Sequence, residues 1–212
     1  MKILLVAATK AEINTVFEHF KLKNEAFVAT DNFDVLITGV GMVATAFCLG
    51  KKLTNQYDLV LNVGIAGSFD RNIPLGSIVN ITEDILAELG AEDKDNFITI
   101  NEMGFGNNRF KSTYRLDGLP TVNGITVNKV HGNQTSIDKV IKQFNPQTES
   151  MEGAAVFYAC TQIDIPCLQI RAISNYVEPR NRDAWEIALA IKNLNDWVIG
   201  FITDYLIIQP NS

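Results

Sequence analysis

Residues 3–8, Ile-Leu-Leu-Val-Ala-Ala, form an unbroken apolar run. That is the pattern of a strand covered on both faces. Five further runs read the same way, at 35–40, 59–65, 78–81, 126–131 and 166–173. Strands of this kind belong to a mostly parallel sheet, whose crossovers have to be helical. Helical patterns fill the gaps. Thr9 suits the N-cap of a helix carrying Ile13, Val16, Phe17 and Phe20 on one face. A second helix, 42–53, follows Gly39 and Gly41; a third, 152–162, is alanine-rich and stops before an Ile-Pro step. A last helix is expected from Asp183 to Leu206, with Trp185, Leu189, Trp197, Ile202 and Tyr205 toward the core. The alternation predicts an α/β fold, a three-layer α-β-α arrangement around a mixed, mostly parallel sheet. Residues 84–124, with Gly104, Gly106, Asn107 and Asn108, break the rhythm and read as an excursion holding a lid or a partner-contacting loop. The tail, 209–212, is expected to fray.

Composition narrows the class. A chain of 212 residues fits one domain, 1–212, and can bury roughly 70% of its unfolded surface without disulfide or metal support. Its formal net charge of −6 and the lack of a basic cluster argue against a nucleic-acid partner. No apolar stretch reaches the ~18 residues of a membrane span, and the 3–8 run is too short for a secretory signal core. Cys48, Cys160 and Cys167 are an odd, sparse set with no Cys-x-x-Cys pair, so a reducing cytoplasm is the expected location. The two histidines, His19 and His131, do not make a metal site.

Ligands of open α/β sheets sit at the carboxyl ends of strands. The segments there are Ala8–Glu12, Thr38–Gly41, Gly64–Gly67 with Ala66, Ser150–Gly153, and Arg171–Asn175 with Ser174. Gly39-x-Gly41 and Gly64-x-x-Gly67 let backbone N–H groups approach a ligand, but equally suit tight strand-to-helix turns. Neither is a dinucleotide fingerprint or a Walker loop. Glu12 and Glu152 are carboxylates near helix starts, a common structural device as well as a catalytic one.

Taken together, Ser-Met-Glu-Gly-Ala-Ala (150–155), Arg-Ala-Ile-Ser-Asn (171–175) and the segments above resemble the nucleoside phosphorylase and nucleosidase superfamily, in the same order over nearly the whole chain. Within it the chain is similar to the 5′-methylthioadenosine/S-adenosylhomocysteine nucleosidases. It is more similar to the futalosine hydrolases of menaquinone synthesis, through residues 88–92, 102–105 and 175–185. The resemblance implies a cofactor-free homodimeric N-glycosidase. Glu12 falls where these enzymes hold the base that activates water, Glu152 where a carboxylate grips the ribose, Arg171 near both, and Met151 under the sugar. Asn175 replaces an aspartic acid that protonates purine N7, Ile65 replaces a serine that helps hold the water, and Thr135 replaces a base-stacking aromatic, a role open to Phe105.

Asparagine has two amide donors, which can serve N7 and O6 of a 6-oxopurine together; this favours hypoxanthine over adenine as leaving group. A carboxylate after the first strand, and no arginine before Arg71, favour water over phosphate. For a carboxyphenyl 5′ substituent, Trp185 is the candidate packing surface, and Arg180 or Arg182 the candidate cation. The alternatives are a methylthioadenosine/adenosylhomocysteine or aminodeoxyfutalosine nucleosidase, a purine nucleoside phosphorylase, and a non-catalytic nucleotide- or flavin-binding module.

Overall fold

The computed structural model describes residues 2–94 and 96–208. The frayed tail expected at 209–212 lies outside them. The strands are β1 (Ile3–Ala7), β2 (Phe27–Val28), β3 (Phe33–Ile37), β4 (Leu59–Ser68), β5 (Ile78–Leu86), β6 (Gly90–Asp93), β7 (Asn96–Thr99), β8 (Arg109–Lys111), β9 (Thr121–Thr126), β10 (Thr148–Ser150) and β11 (Cys167–Tyr176). The helices are α1 (Asn14–His19), α2 (Met42–Lys52), α3 (Gln134–Phe144), α4 (Gly153–Gln162) and α5 (Ile187–Ile208).

β1 shows why the first run dictates layers. Successive strand side chains point to opposite faces. Ile3, Leu5 and Ala7 join one core with Val16 and Phe17 of α1 and Ala190, Leu194, Val198 and Ile202 of α5. Leu4 and Val6 join the other, with Leu49 of α2 and Val156, Phe157 and Cys160 of α4. Helices therefore cover both faces of this part of the sheet.

The sheet itself departs from the expectation. Its order is β10-β9-β5-β11-β4-β1-β3-β2, and β10 also pairs with β4. The sheet thus curls until β10, β9, β5, β11 and β4 close on themselves like a barrel. Five of the nine pairings among the described residues are parallel and four antiparallel, so the sheet is mixed rather than mostly parallel. Closure follows from the short β10, which lies parallel to β9 and antiparallel to the end of β4.

Boundaries shift as well. The strand expected at 126–131 is β9, which ends at Thr126. The residue 84–124 excursion holds the β6–β7 hairpin, β8 and most of β9. The first helix splits into a 3₁₀ turn, Lys10–Ile13, and α1, with Phe20 as its C-cap. α5 begins at Ile187 after a 3₁₀ turn at Arg182–Ala184, so Trp185 precedes the helix, and Leu189 is 40% exposed. The fully buried line of α5 is Ala190, Leu194, Val198 and the expected Ile202, at intervals of four, with Trp197 and Tyr205 packed half-buried against the same core as expected.

One buried polar group links the curled sheet to α4. Asp84 on β5 accepts from Thr126 Oγ1 (2.9 Å) and Gln169 Nε2 (2.8 Å), and Thr126 Oγ1 accepts from the Ala154 N–H. Burial pushes the Asp84 carboxyl up from 3.8 to about 6, against the pull of those two donors. A carboxyl raised in the folded state stabilises fully below its unfolded pKa and loses that contribution as pH climbs through the folded value. The stability of Asp84→Asn relative to the parent should therefore improve by about 2 kcal/mol between about pH 4 and pH 7, read by urea titration at each pH. A constant difference across that window would show that Asp84 does not titrate there.

Candidate active site

The carboxyl ends of β1, β4, β10 and β11 open on one cavity of about 400 Å³. Glu12 reaches it from the 3₁₀ turn after β1. Its Oε2 accepts from the Thr9 N–H (2.9 Å) and Thr9 Oγ1 (3.0 Å), a reciprocal cap of that turn, and its Oε1 accepts from the Ile65 N–H (3.2 Å). Two donors occupy Oε2 and one occupies Oε1, so the acceptor position left open is on Oε1. The helix-start role and the cavity role of Glu12 thus coexist in one side chain. Ile65 supplies a backbone donor, not the side-chain hydroxyl it replaces.

Glu152 is the N-cap of α4, and its Oε1 accepts from the Gly41 N–H at 2.9 Å. Gly41 (φ 94°) and Gly39 (φ 85°) both adopt the left-handed backbone that brings this N–H inward. Burial raises the Glu152 pKa above its ordinary value; Arg171 and the Gly41 N–H oppose the rise, and the Glu12 charge adds to it. The two carboxylates therefore share one electrostatic site.

Arg171 lies behind them, 1% exposed, donating from Nη2 to Asn62 Oδ1 at 2.8 Å. A Cβ on Gly64 would overlap Arg171 Nη1 and come within 2.9 Å of Glu12 Oε1. Arg171 is thus a buried counter-charge and does not line the cavity.

The register of β11 slips between Ile173 and Asn175, which sets Asn175 opposite Gly67 on β4. Asn175 Nδ2 donates to the Tyr176 carbonyl (3.1 Å), and its Oδ1 accepts from Ser174 Oγ (2.9 Å). One amide donor remains for a ligand, not the two that the sequence reading assigned to N7 and O6 together. Ser174 Oγ also lies 3.3 Å from the Ala66 carbonyl. Ala66, Gly67, Met151, Ser174, Asn175 and Trp185 all line the cavity.

Other expected residues lie elsewhere. Phe105 is 75% exposed in the turns after β7 and off the cavity wall, and Thr135 is exposed at the start of α3. Among the described residues, Trp185 is the one phenyl or indole ring in the wall. Arg180 and Arg182 sit over its ring, 5.3 and 5.8 Å from the centroid, outside the wall. Among the polar wall residues, Glu149 escaped the sequence reading and His131 was weighed there only as a metal ligand; His131 Nδ1 and Glu149 Oε2 lie 2.6 Å apart. A third carboxylate directly before Ser-Met-Glu was the available signal. No group of three or more His, Cys, Asp or Glu converges as a metal cradle among the described residues. No helix there is long and apolar enough to cross a membrane.

The space behind Gly64 allows a direct check. Gly64→Ala should cost about 3 kcal/mol, because the new methyl drives Arg171 from its partners, measured as a shift of the denaturation midpoint. Gly50→Ala, in α2 with open space around it, should instead gain about 0.5–1 kcal/mol. Equal effects would mean that the pocket behind Glu12 is not tightly packed.

Comparison with known proteins shows what the chain is similar to. The profile of the Phosphorylase superfamily matches residues 15–202. The futalosine hydrolase of Streptomyces coelicolor is 32% identical over 188 residues, covering 79% of this chain and 77% of that protein. Among solved structures, the futalosine hydrolase of Helicobacter pylori superimposes with a TM-score of 0.81 at 18% identity, over 97% of this chain and 98% of that one. The 5′-methylthioadenosine/S-adenosylhomocysteine nucleosidase of the same organism, solved with butyl-thio-DADMe-Immucillin-A, also gives 0.81 at 18% identity, over 97% and 99%. Equal scores for two enzymes with different names show the fold alone. The profile match and the identity to the Streptomyces protein show that this chain belongs to the Phosphorylase superfamily.

Proposed function

We propose that the chain is a futalosine hydrolase, cleaving futalosine to hypoxanthine and dehypoxanthinylfutalosine in menaquinone biosynthesis. The observation that carries hydrolysis is the charge of the cavity wall. Among the described residues it holds Glu12, Glu149 and Glu152 and neither lysine nor arginine. Such a wall repels phosphate and accepts water and sugar hydroxyls. Lys10, the cation nearest the first turn in sequence, is engaged with Asn24 Oδ1 and lies over the Phe17 ring.

In this reading the Glu152 carboxylate accepts from the ribose hydroxyls and offsets positive charge as the sugar gains oxocarbenium character. A water on the open side of Glu12 Oε1 gives its proton to the carboxylate as its oxygen bonds to C1′. The C1′–N9 bond breaks, and its electron pair leaves with the base, whose N7 the free Asn175 N–H meets. Trp185, carrying Arg180 and Arg182 on its ring, suits an aromatic acid at the 5′ end. The preference for futalosine over methylthioadenosine is supported by the Streptomyces relative.

The proposal extends to one catalytic domain, 1–212, in a cytoplasmic homodimer. Val40, on the cavity wall, is 57% exposed and continues into Val43 (81%) and Phe47 (66%), an apolar rim that a second copy would cover.

Base release from futalosine, aminodeoxyfutalosine, methylthioadenosine and inosine tests the substrate. Hypoxanthine should leave futalosine fastest, at a rate independent of added phosphate. Faster adenine release from methylthioadenosine, or a phosphate requirement, would overturn the assignment. Glu12→Gln should cut kcat by roughly 10²–10⁴ with a much smaller change in binding; near-normal kcat would remove Glu12 from the chemistry.

A further inference from the structure

Asn175 has one amide donor left, which serves N7 of adenine and of hypoxanthine alike, so the base needs a second reader. The wall provides a partner for that task. Gly67 is flanked in the sheet by Asn175 on β11 and by Glu149 on β10. Adjacent strands lie about 4.8 Å apart, so Asn175 and Glu149 sit on opposite sides of one ligand-width end of the cavity. Glu149 is 4% exposed and holds His131 twice: Oε1 accepts from the His131 backbone N–H (2.9 Å), and Oε2 faces Nδ1 (2.6 Å). Phe69 packs edge-on against the imidazole, with ring centroids 6.4 Å apart. His131 also borders a second cavity near α3, but Glu149 lines only the first.

We propose that His131, oriented by Glu149, reads the N1 position of the base and selects a 6-oxopurine; the inference rests on the nucleosidase reading above. A neutral imidazole carries one ring proton. The Glu149 carboxylate can only accept, so it takes that proton at Nδ1 and leaves a lone pair at Nε2. A 6-oxopurine carries hydrogen at N1 and can donate to that lone pair. Adenine presents a lone pair at N1, and the two acceptors would face each other. His131 is the group that contacts the base, and Glu149 is a positioning residue.

Glu149→Gln tests this with almost no change of shape. The backbone N–H of His131 keeps an oxygen on its side of the amide, which turns the NH₂ toward Nδ1. The ring proton then moves to Nε2, which becomes a donor and suits adenine. The ratio of kcat/KM for futalosine to that for aminodeoxyfutalosine, measured at about pH 8, should fall by roughly 10–100-fold in the variant. His131→Ala should flatten the ratio without inverting it. In the parent, ¹⁵N NMR should show Nδ1 protonated, with the Nε2 resonance moving on addition of hypoxanthine but not of 1-methylhypoxanthine; this reading survives if either variant fails to fold. A parent that cleaves futalosine while Glu149→Gln keeps its ratio, or a ring protonated at Nε2, overturns the inference alone. A parent that releases no base from any nucleoside overturns the hydrolase reading and this inference together.

Discussion

A guanidinium that is 1% exposed needs opposite charge and hydrogen-bond partners, and Arg171 draws much of the site around itself. Asn62, on the neighbouring strand, takes one of its donors. Gly64 lacks a side chain where Arg171 and Glu12 need the room. Glu152 is buried enough that its charge is disfavoured, and the Arg171 charge is the largest influence opposing that rise. Two carboxylates can therefore stand near one another in a largely apolar wall because a third charge lies beneath them. Truncating Arg171 would leave those carboxylates facing each other, which is costlier than the loss of one hydrogen bond.

The curl of the sheet is the second constraint. A flat, open arrangement would leave β10 at an edge, far from β4. Pairing of Thr148 with Ser68 and Glu149 with Gly67 folds that edge back. Met151 and Glu152, which follow directly, are thereby carried to the ends of β1 and β4. Asp84, Thr126 and Gln169 fill the space under the start of α4, where a Cβ on Gly153 would collide with Asp84 and Gln169. The motif Ser-Met-Glu-Gly thus has a structural reason for its glycine as well as a chemical reason for its glutamate.

Long apolar runs and the residues after them were legible in the chain because burial on both faces leaves a dense local signal. That covers β1, β4 and β11, the site segments that follow them, and the capping roles of Glu12 and Glu152. α3 was readable but unread: Asn133 caps it through the Thr135 and Ser136 N–H groups, and Ile137, Val140 and Ile141 recur at helical spacing. β10, three residues long, carries too little pattern for any local rule.

The sequence by itself determined the layers, the two principal carboxylates and the asparagine, since each depends on residue type and near neighbours. Only the tertiary structure decided the closure of the sheet, the loss of one Asn175 donor to Tyr176, the seat of Arg180 and Arg182 on Trp185, and the pairing of His131 with Glu149. Each of these joins groups whose encounter depends on strand register and chain path, and a hydrogen-bond partner 18 residues away leaves no periodic trace in the chain.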